Sequence, residues 1–326
     1  MSSPPPATSK GIFKLNTAFR PLPWLLLFLL LLLAAAPDLH AENRIGVIMT
    51  GDVPYYRAIH ETFVGELNKR SAGGEKFEII LQRPFPNPIS WSNAARKLIA
   101  FDVDLIVTYG SPATLAVIHE KSDIPLVYAG LYEPEQAVVS GANATGCGFK
   151  IPLSSIIRYF KRLNPINTLG IIFSGVEEDS VRQLKTMQGL AEQQGIKVEA
   201  IDLRSRADLD KLQTKKTDAV FITGSSLAHL WLDDILSTLR KDLIPAADIF
   251  PDDSGPGVLM TLYQPSHSQG EMAAQMAEQI LHGAKPNAII ARTFRDTELV
   301  FNLVAARQLG ITFPIQLIIE ATRVIQ

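Results

Sequence analysis

Cysteine is almost absent from this 326-residue chain: Cys147 stands alone, so no disulfide can form within it. A chain of this size buries enough surface to fold without a covalent staple. Long hydrophobic runs are scarce too. Trp24 to Ala36 is followed by no second such run, so the part after it is expected to be soluble. No long run of like charge and no low-complexity tract occurs. Familiar catalytic patterns are missing as well. His60-Glu61 has Val64 where a zinc helix needs its second His, and no Gly-x-Ser-x-Gly elbow is present. Gly146-Cys147-Gly148 lacks a third glycine, and His229 with Asp233 reads as a surface pair. No catalytic residue, cofactor or metal site is therefore expected.

The segment that is present at the start has an address rather than a fold. Lys10, Lys14 and Arg20 precede the apolar run, Pro37 breaks it, and Leu39-His40-Ala41 offers a small residue at a cleavage point. That order is the pattern of a secretory signal peptide. The run is shorter than the roughly 20 residues that span a bilayer, although an uncleaved anchor is the alternative. Basic residues before it place the rest outside the cytoplasm in either case, so a periplasmic location is expected. No cysteine follows the run to carry a lipid. Three basic groups and one acid fall within residues 1–41, leaving 28 Lys+Arg, 32 Asp+Glu and a formal charge of −4. That mild acidity gives no footprint for nucleic acid.

Beyond residue 41 the chain repeats itself loosely. Asp104-Leu-Ile-Val-Thr-Tyr-Gly-Ser-Pro-Ala-Thr114 is echoed by Asp218-Ala-Val-Phe-Ile-Thr-Gly-Ser-Ser-Leu-Ala228. Arg44–Asp52 resembles Thr168–Val176 in the same way. Each echo reads as a buried strand, a Gly/Ser bend and a helix start. Strand and helix signals alternate throughout, which calls for parallel sheets with right-handed crossovers. The expected fold is α/β: two doubly wound Rossmann-like lobes joined by a three-segment hinge. Gly141–Gly148, Asp252–Gly257 and Gly283–Asn287 are the breaker clusters expected to carry the crossings. Lobe one is then 42–146 plus 257–285, and lobe two 147–256 plus 286–326.

Ligands of open α/β sheets sit beyond the carboxyl ends of the strands, so the Gly/Ser bends are the site candidates. Gly110, Ser111 and Thr114 open a helix, with Ser111 suited to the N-cap and Pro112 to the first helical position. Free N–H groups there can receive a carboxylate. Ser174 and Gly175, with Gly224, Ser225 and Ser226, make the same offer from the second half. Gly130, Leu131, Tyr132 and Tyr263 follow or end strands, and Tyr55 and Tyr56 follow the first one, all read as loop residues able to sandwich an apolar side chain. Asp52 and Glu133 can pair with an amine, whereas Glu177, Glu178 and Asp179 read as acids complementing a helix dipole.

These residues carry a resemblance. Asp104–Thr114, Ile124–Ala129, Asn143–Gly146, Thr168–Ser174, Ala219–Ser225, Ala273–Pro286 and Glu298–Pro314 resemble the substrate-binding components of ABC importers with the type I periplasmic-binding fold. The subgroup is the one that includes tryptophan- and tyrosine-binding members. The resemblance covers essentially all of the chain after the leader. It implies a monomer of two lobes closing on a small-molecule solute, an amino acid or similar carboxylate, with a membrane permease as partner. Leu131-Tyr-Glu-Pro134 and Ser174-Gly-Val-Glu177 depart from the Thr-Asp-Pro and Asn-Pro-Gly turns of that family, so its ligand does not transfer directly. The alternatives are a sensor reporting to a membrane kinase and a two-lobed enzyme.

Overall fold

The computed structural model describes residues 1–4, 43–70, 76–137, 143–214, 216–251 and 257–326. The expected leader falls almost wholly outside them, as do residues 141–142 of one breaker cluster and 252–256 of another. Among the described residues no helix is long and apolar enough to cross a membrane.

The chain first lays down β1 (Asn43–Met49), β2 (Phe77–Gln82), β3 (Leu105–Tyr109), β4 (Leu126–Tyr132) and β5 (Ala144–Phe149). It continues with β6 (Thr168–Phe173), β7 (Lys197–Asp202), β8 (Ala219–Ile222), β9 (Ala246–Asp248) and β10 (Met260–Tyr263). β11 (Arg292–Phe294), β12 (Glu298–Asn302) and β13 (Arg323–Ile325) close it. Two sheets result, in the orders β11-β5-β4-β3-β1-β2 and β13-β12-β10-β9-β8-β6-β7. Pairing in the first is parallel throughout, and in the second β10 and β12 run antiparallel. Every residue of β3 and β4 is buried, as a parallel sheet covered on both faces requires.

Helices α1 (Pro54–Arg70), α2 (Pro88–Ala100) and α3 (Ser111–His119) belong to the first lobe. α2 starts where it does because Asn87 accepts from Ser90 N–H at 2.8 Å and Pro88 fits the first turn. α4 (Ser154–Leu163), α5 (Glu178–Glu192), α6 (Ser226–Leu230) and α7 (Leu232–Lys241) follow with the second sheet. α8 (Ser266–Leu281) then packs on α1 and the first sheet. Gly270 makes that crossing close: a Cβ there would lie 2.5 Å from the Ile59 carbonyl.

Three crossings join the lobes, but not at the breaker clusters. The chain leaves the first sheet after β5, returns between β10 and α8, and leaves again between β11 and β12. β10, within the expected first-lobe segment 257–285, therefore stands in the second sheet, and β11, within the expected second-lobe segment 286–326, in the first. The glycines misled for physical reasons. Gly146 and Gly148 lie inside β5, where a Cβ would meet the carbonyls of Tyr128 and Leu131 at 2.1 and 2.3 Å. Gly283 turns the end of α8 at φ +93°, with its N–H on Ile280. Glycine marks close approach as readily as it marks a linker.

Candidate functional site

The carboxyl ends of β1, β3 and β4 face those of β6, β8 and β9, and the two lobes touch. A Cβ on Gly51 would come within 2.5 Å of Cβ of Ser226 in the opposite lobe. Tyr55 lies flat against Phe250 at 4.4 Å between ring centroids and 15° between planes. Tyr56 meets the same ring edge-on at 5.5 Å. Tyr55 and Tyr132 also pack edge-on to Phe149. Offset and edge-to-face geometries of this kind are the favoured ones for aromatic pairs. Tyr55 and Tyr56 are not loop residues; Pro54 starts α1 early enough to place both in its first turn.

A polar junction stands beside the rings. Asp179, in the first turn of α5, accepts from Ser111 N–H at 3.1 Å and from Ser111 Oγ–H at 2.6 Å. The Tyr132 N–H also reaches it. Arg182, one turn further along α5, donates through Nη2 to Asp179 and, at 3.1 Å each, to Ser111 Oγ and the Tyr132 carbonyl. Burial pushes the Asp179 carboxyl above its ordinary range, although Arg182 and the Ser111 donors pull it down. Burial likewise raises the Tyr55 and Tyr56 phenols, with Asp179 adding to it.

The second lobe fills its own helix start. Glu177 accepts from Ser225 Oγ–H at 2.6 Å, Ser226 N–H at 2.8 Å and Leu227 N–H at 3.0 Å. Behind that loop His229 is buried, with Nδ1 2.7 Å from the Ser225 carbonyl and Nε2 2.9 Å from Asp248. Both partners are acceptors, so both ring nitrogens carry protons. Burial works against that charge, and the Asp248 carboxylate with the Ser225 carbonyl outweighs it, raising the imidazole above its ordinary value. His229 thus pairs with Asp248, not with Asp233 on the surface. Its ring also rests 5.1 Å from Phe250.

The expected site residues divide between the cleft and the scaffold. Tyr55, Ser111, Tyr132 and Ser174 come to the junction of the lobes, and Gly110 and Gly130 shape it. Gly110, at φ +87°, is the true N-cap of α3, one residue before the expected Ser111, and leaves room for the Tyr56 hydroxyl and Thr50. Gly130, at φ +69°, gives its N–H to Gln269 at 3.0 Å and abuts Ile59 and Tyr56. Gly224 gives its N–H to Gln183 at 2.7 Å and backs onto the Phe250 ring. The others have internal duties. Thr114 pins α3 to β3 through Thr108 and the Gly110 carbonyl, and Ser225 caps α6. Leu131 packs with Tyr128 and Ala137, Gly175 is tied to Asp202, and the Tyr263 hydroxyl donates to Glu298. Asp52 stands at the rim, paired with Arg57 and Arg83, while Glu133 pairs with Lys150 at 2.6 Å.

Sequence reading missed Phe250, Arg182 and Gln183. β9 is three residues long, too short to signal that Phe250 follows a strand. The spacing of Asp179, Arg182 and Gln183 at i, i+3 and i+4 was the available signal, since those positions share one helix face.

A family model described as ABC transporter substrate binding protein matches residues 84–325. The chain belongs to that family. A tyrosine-binding protein of Clostridioides difficile (strain R20291) is 19% identical over 276 residues, 81% of this chain and 80% of the relative. Among solved structures, an ABC domain from Streptococcus pneumonia in complex with L-Trp matches at 23% identity and TM-score 0.81, covering 87% of this chain and all of that one (100%). A conserved domain protein from Vibrio cholerae matches at 21% identity and TM-score 0.82 with the same coverage, 87% and 100%. These likenesses establish the type I periplasmic-binding architecture for this substrate-binding protein.

Proposed function

We propose that this substrate-binding protein is the extracytoplasmic, non-enzymatic receptor of an ABC importer, closing its lobes on one small amphiphilic solute and presenting it to a membrane permease. One observation carries the reading. At the contact between the lobes, Tyr55 Oη on one side and Arg182 Nε and Ser226 Oγ on the other are buried without a partner, and Ser174 Oγ and Gln183 Nε2 are likewise unpartnered within the second lobe. Each such atom costs on the order of 1–3 kcal/mol if it stays unpaired. A solute offering polar atoms to both lobes offsets that cost only when they are closed, which couples capture to closure.

The aromatic rings supply the second half of the grip. Burying one large apolar group contributes roughly 1.5–3 kcal/mol, whereas micromolar binding needs about 8 kcal/mol. Neither wall suffices alone, so both lobes must engage. The relatives' ligands, tyrosine and L-Trp, fix the expected size: one ring carrying a short polar arm.

Thermal-shift and native mass-spectrometric screening of the protein against small solutes tests the reading. A saturable rise in melting temperature with one bound solute per chain is expected. Turnover of a substrate, with no solute raising the melting temperature, would sink it. Crosslinking in the native membrane then identifies the partner, and a kinase in place of a permease would refute the importer assignment.

A further inference from the structure

We propose that Asp179 holds, from within the chain, the place a solute carboxylate would take, so that the receptor selects a carboxylate-free solute: an aromatic ring on a neutral or ammonium-bearing arm. This rests on the receptor reading above and names its substrate class.

Two helix starts face the cleft, and both are filled by the chain's own carboxylates. Asp179 takes the N–H and hydroxyl of Ser111 at the start of α3, reaching across from the opposite lobe. Glu177 takes the N–H groups of Ser226 and Leu227 at the start of α6. The expectation that these N–H groups receive a ligand carboxylate is therefore met by residues of the protein itself.

The cation at the junction is likewise already engaged. Arg182 Nη2 serves Asp179, Ser111 and Tyr132, which leaves Nε as its buried unpartnered atom. Glu177, Glu178 and Asp179 lie on consecutive positions, and Glu178, exposed at the surface, has its carboxyl raised by local desolvation and by Asp179. A further carboxylate would meet like charge there. Apart from Arg70 Nε, at the end of α1, and Gln264 Nε2, just after β10, the other unpartnered groups are neutral: the hydroxyls of Tyr55, Ser174 and Ser226 and the amide of Gln183. The hydroxyls can accept from an ammonium or amide N–H, whereas the Gln183 amide and Arg182 Nε–H donate and so suit a neutral acceptor such as an amide carbonyl or hydroxyl oxygen.

Matched ligand pairs test this. Calorimetric titration of the full protein with tryptamine, tyramine and the amides of tryptophan and tyrosine is compared with L-tryptophan and L-tyrosine. The carboxylate-free members are expected to bind at least about tenfold more tightly. In Asp179→Asn the preference reverses, because Arg182 loses its counter-charge and is left to pair with a ligand carboxylate. Parent acids binding the wild type as tightly as their amines would overturn the inference and leave the receptor reading standing. An amine preference unchanged in Asp179→Asn would remove Asp179 from the explanation. Binding by neither set overturns both readings. The wild-type comparison decides the substrate class even if the variant folds poorly.

Discussion

Glu177 shows how much one buried side chain organises here. Its carboxylate satisfies three donors of the Ser225–Leu227 turn, and no other acceptor replaces it if it is cut back. Glu177→Ala should lower unfolding free energy by roughly 2–4 kcal/mol, read from urea denaturation. Two histidines make opposite pH predictions. His60 is held down at about 4 by burial and by Arg83, so it is neutral when folded. Unfolded chains then bind the extra proton between pH 4 and 6.5, and stability rises with pH across that window. His229 is raised, so its contribution is complete below about pH 6.5 and fades as pH climbs through its folded value. Melting temperature against pH should lose its acid-side slope in His60→Gln and its alkaline-side decline in His229→Gln.

At the scale of elements, closeness of backbone governs. α8 lies against α1 because Gly270 has no Cβ to strike the Ile59 carbonyl. Gly270→Ala should therefore destabilise by about 1–3 kcal/mol, even though alanine is the better helix former. Stabilisation by this substitution would show that the helices slide apart freely. Asn87→Ala probes a milder feature, the cap of α2, and should cost about 1 kcal/mol in the same denaturation assay.

For the whole molecule, the proposed receptor role makes closure and binding one event. A solute that binds only the closed form raises stability by about 2.7 kcal/mol at a hundredfold excess over Kd. Phe250→Ala removes the second lobe's aromatic wall, and the affinity of any solute found should fall about tenfold to a hundredfold. Binding undiminished in that variant would mean that the Tyr55–Phe250 stack is scaffold rather than grip.

By itself the sequence determined the alternation of buried strands and amphipathic helices, and with it an α/β fold with parallel strands. Those features follow from local periodicity, which needs no partner. It also brought Tyr55, Ser111, Tyr132 and Ser174 to notice, because strand ends are visible as apolar runs meeting Gly/Ser bends. Tertiary structure alone decided where the crossings fall, since Gly146 and Gly270 are fixed by backbones distant in sequence. It alone turned Asp179 from a dipole-complementing acid into the partner of Ser111, 68 residues away. Hydrogen bonding across a closed cleft depends on which surfaces meet, and no local pattern encodes that.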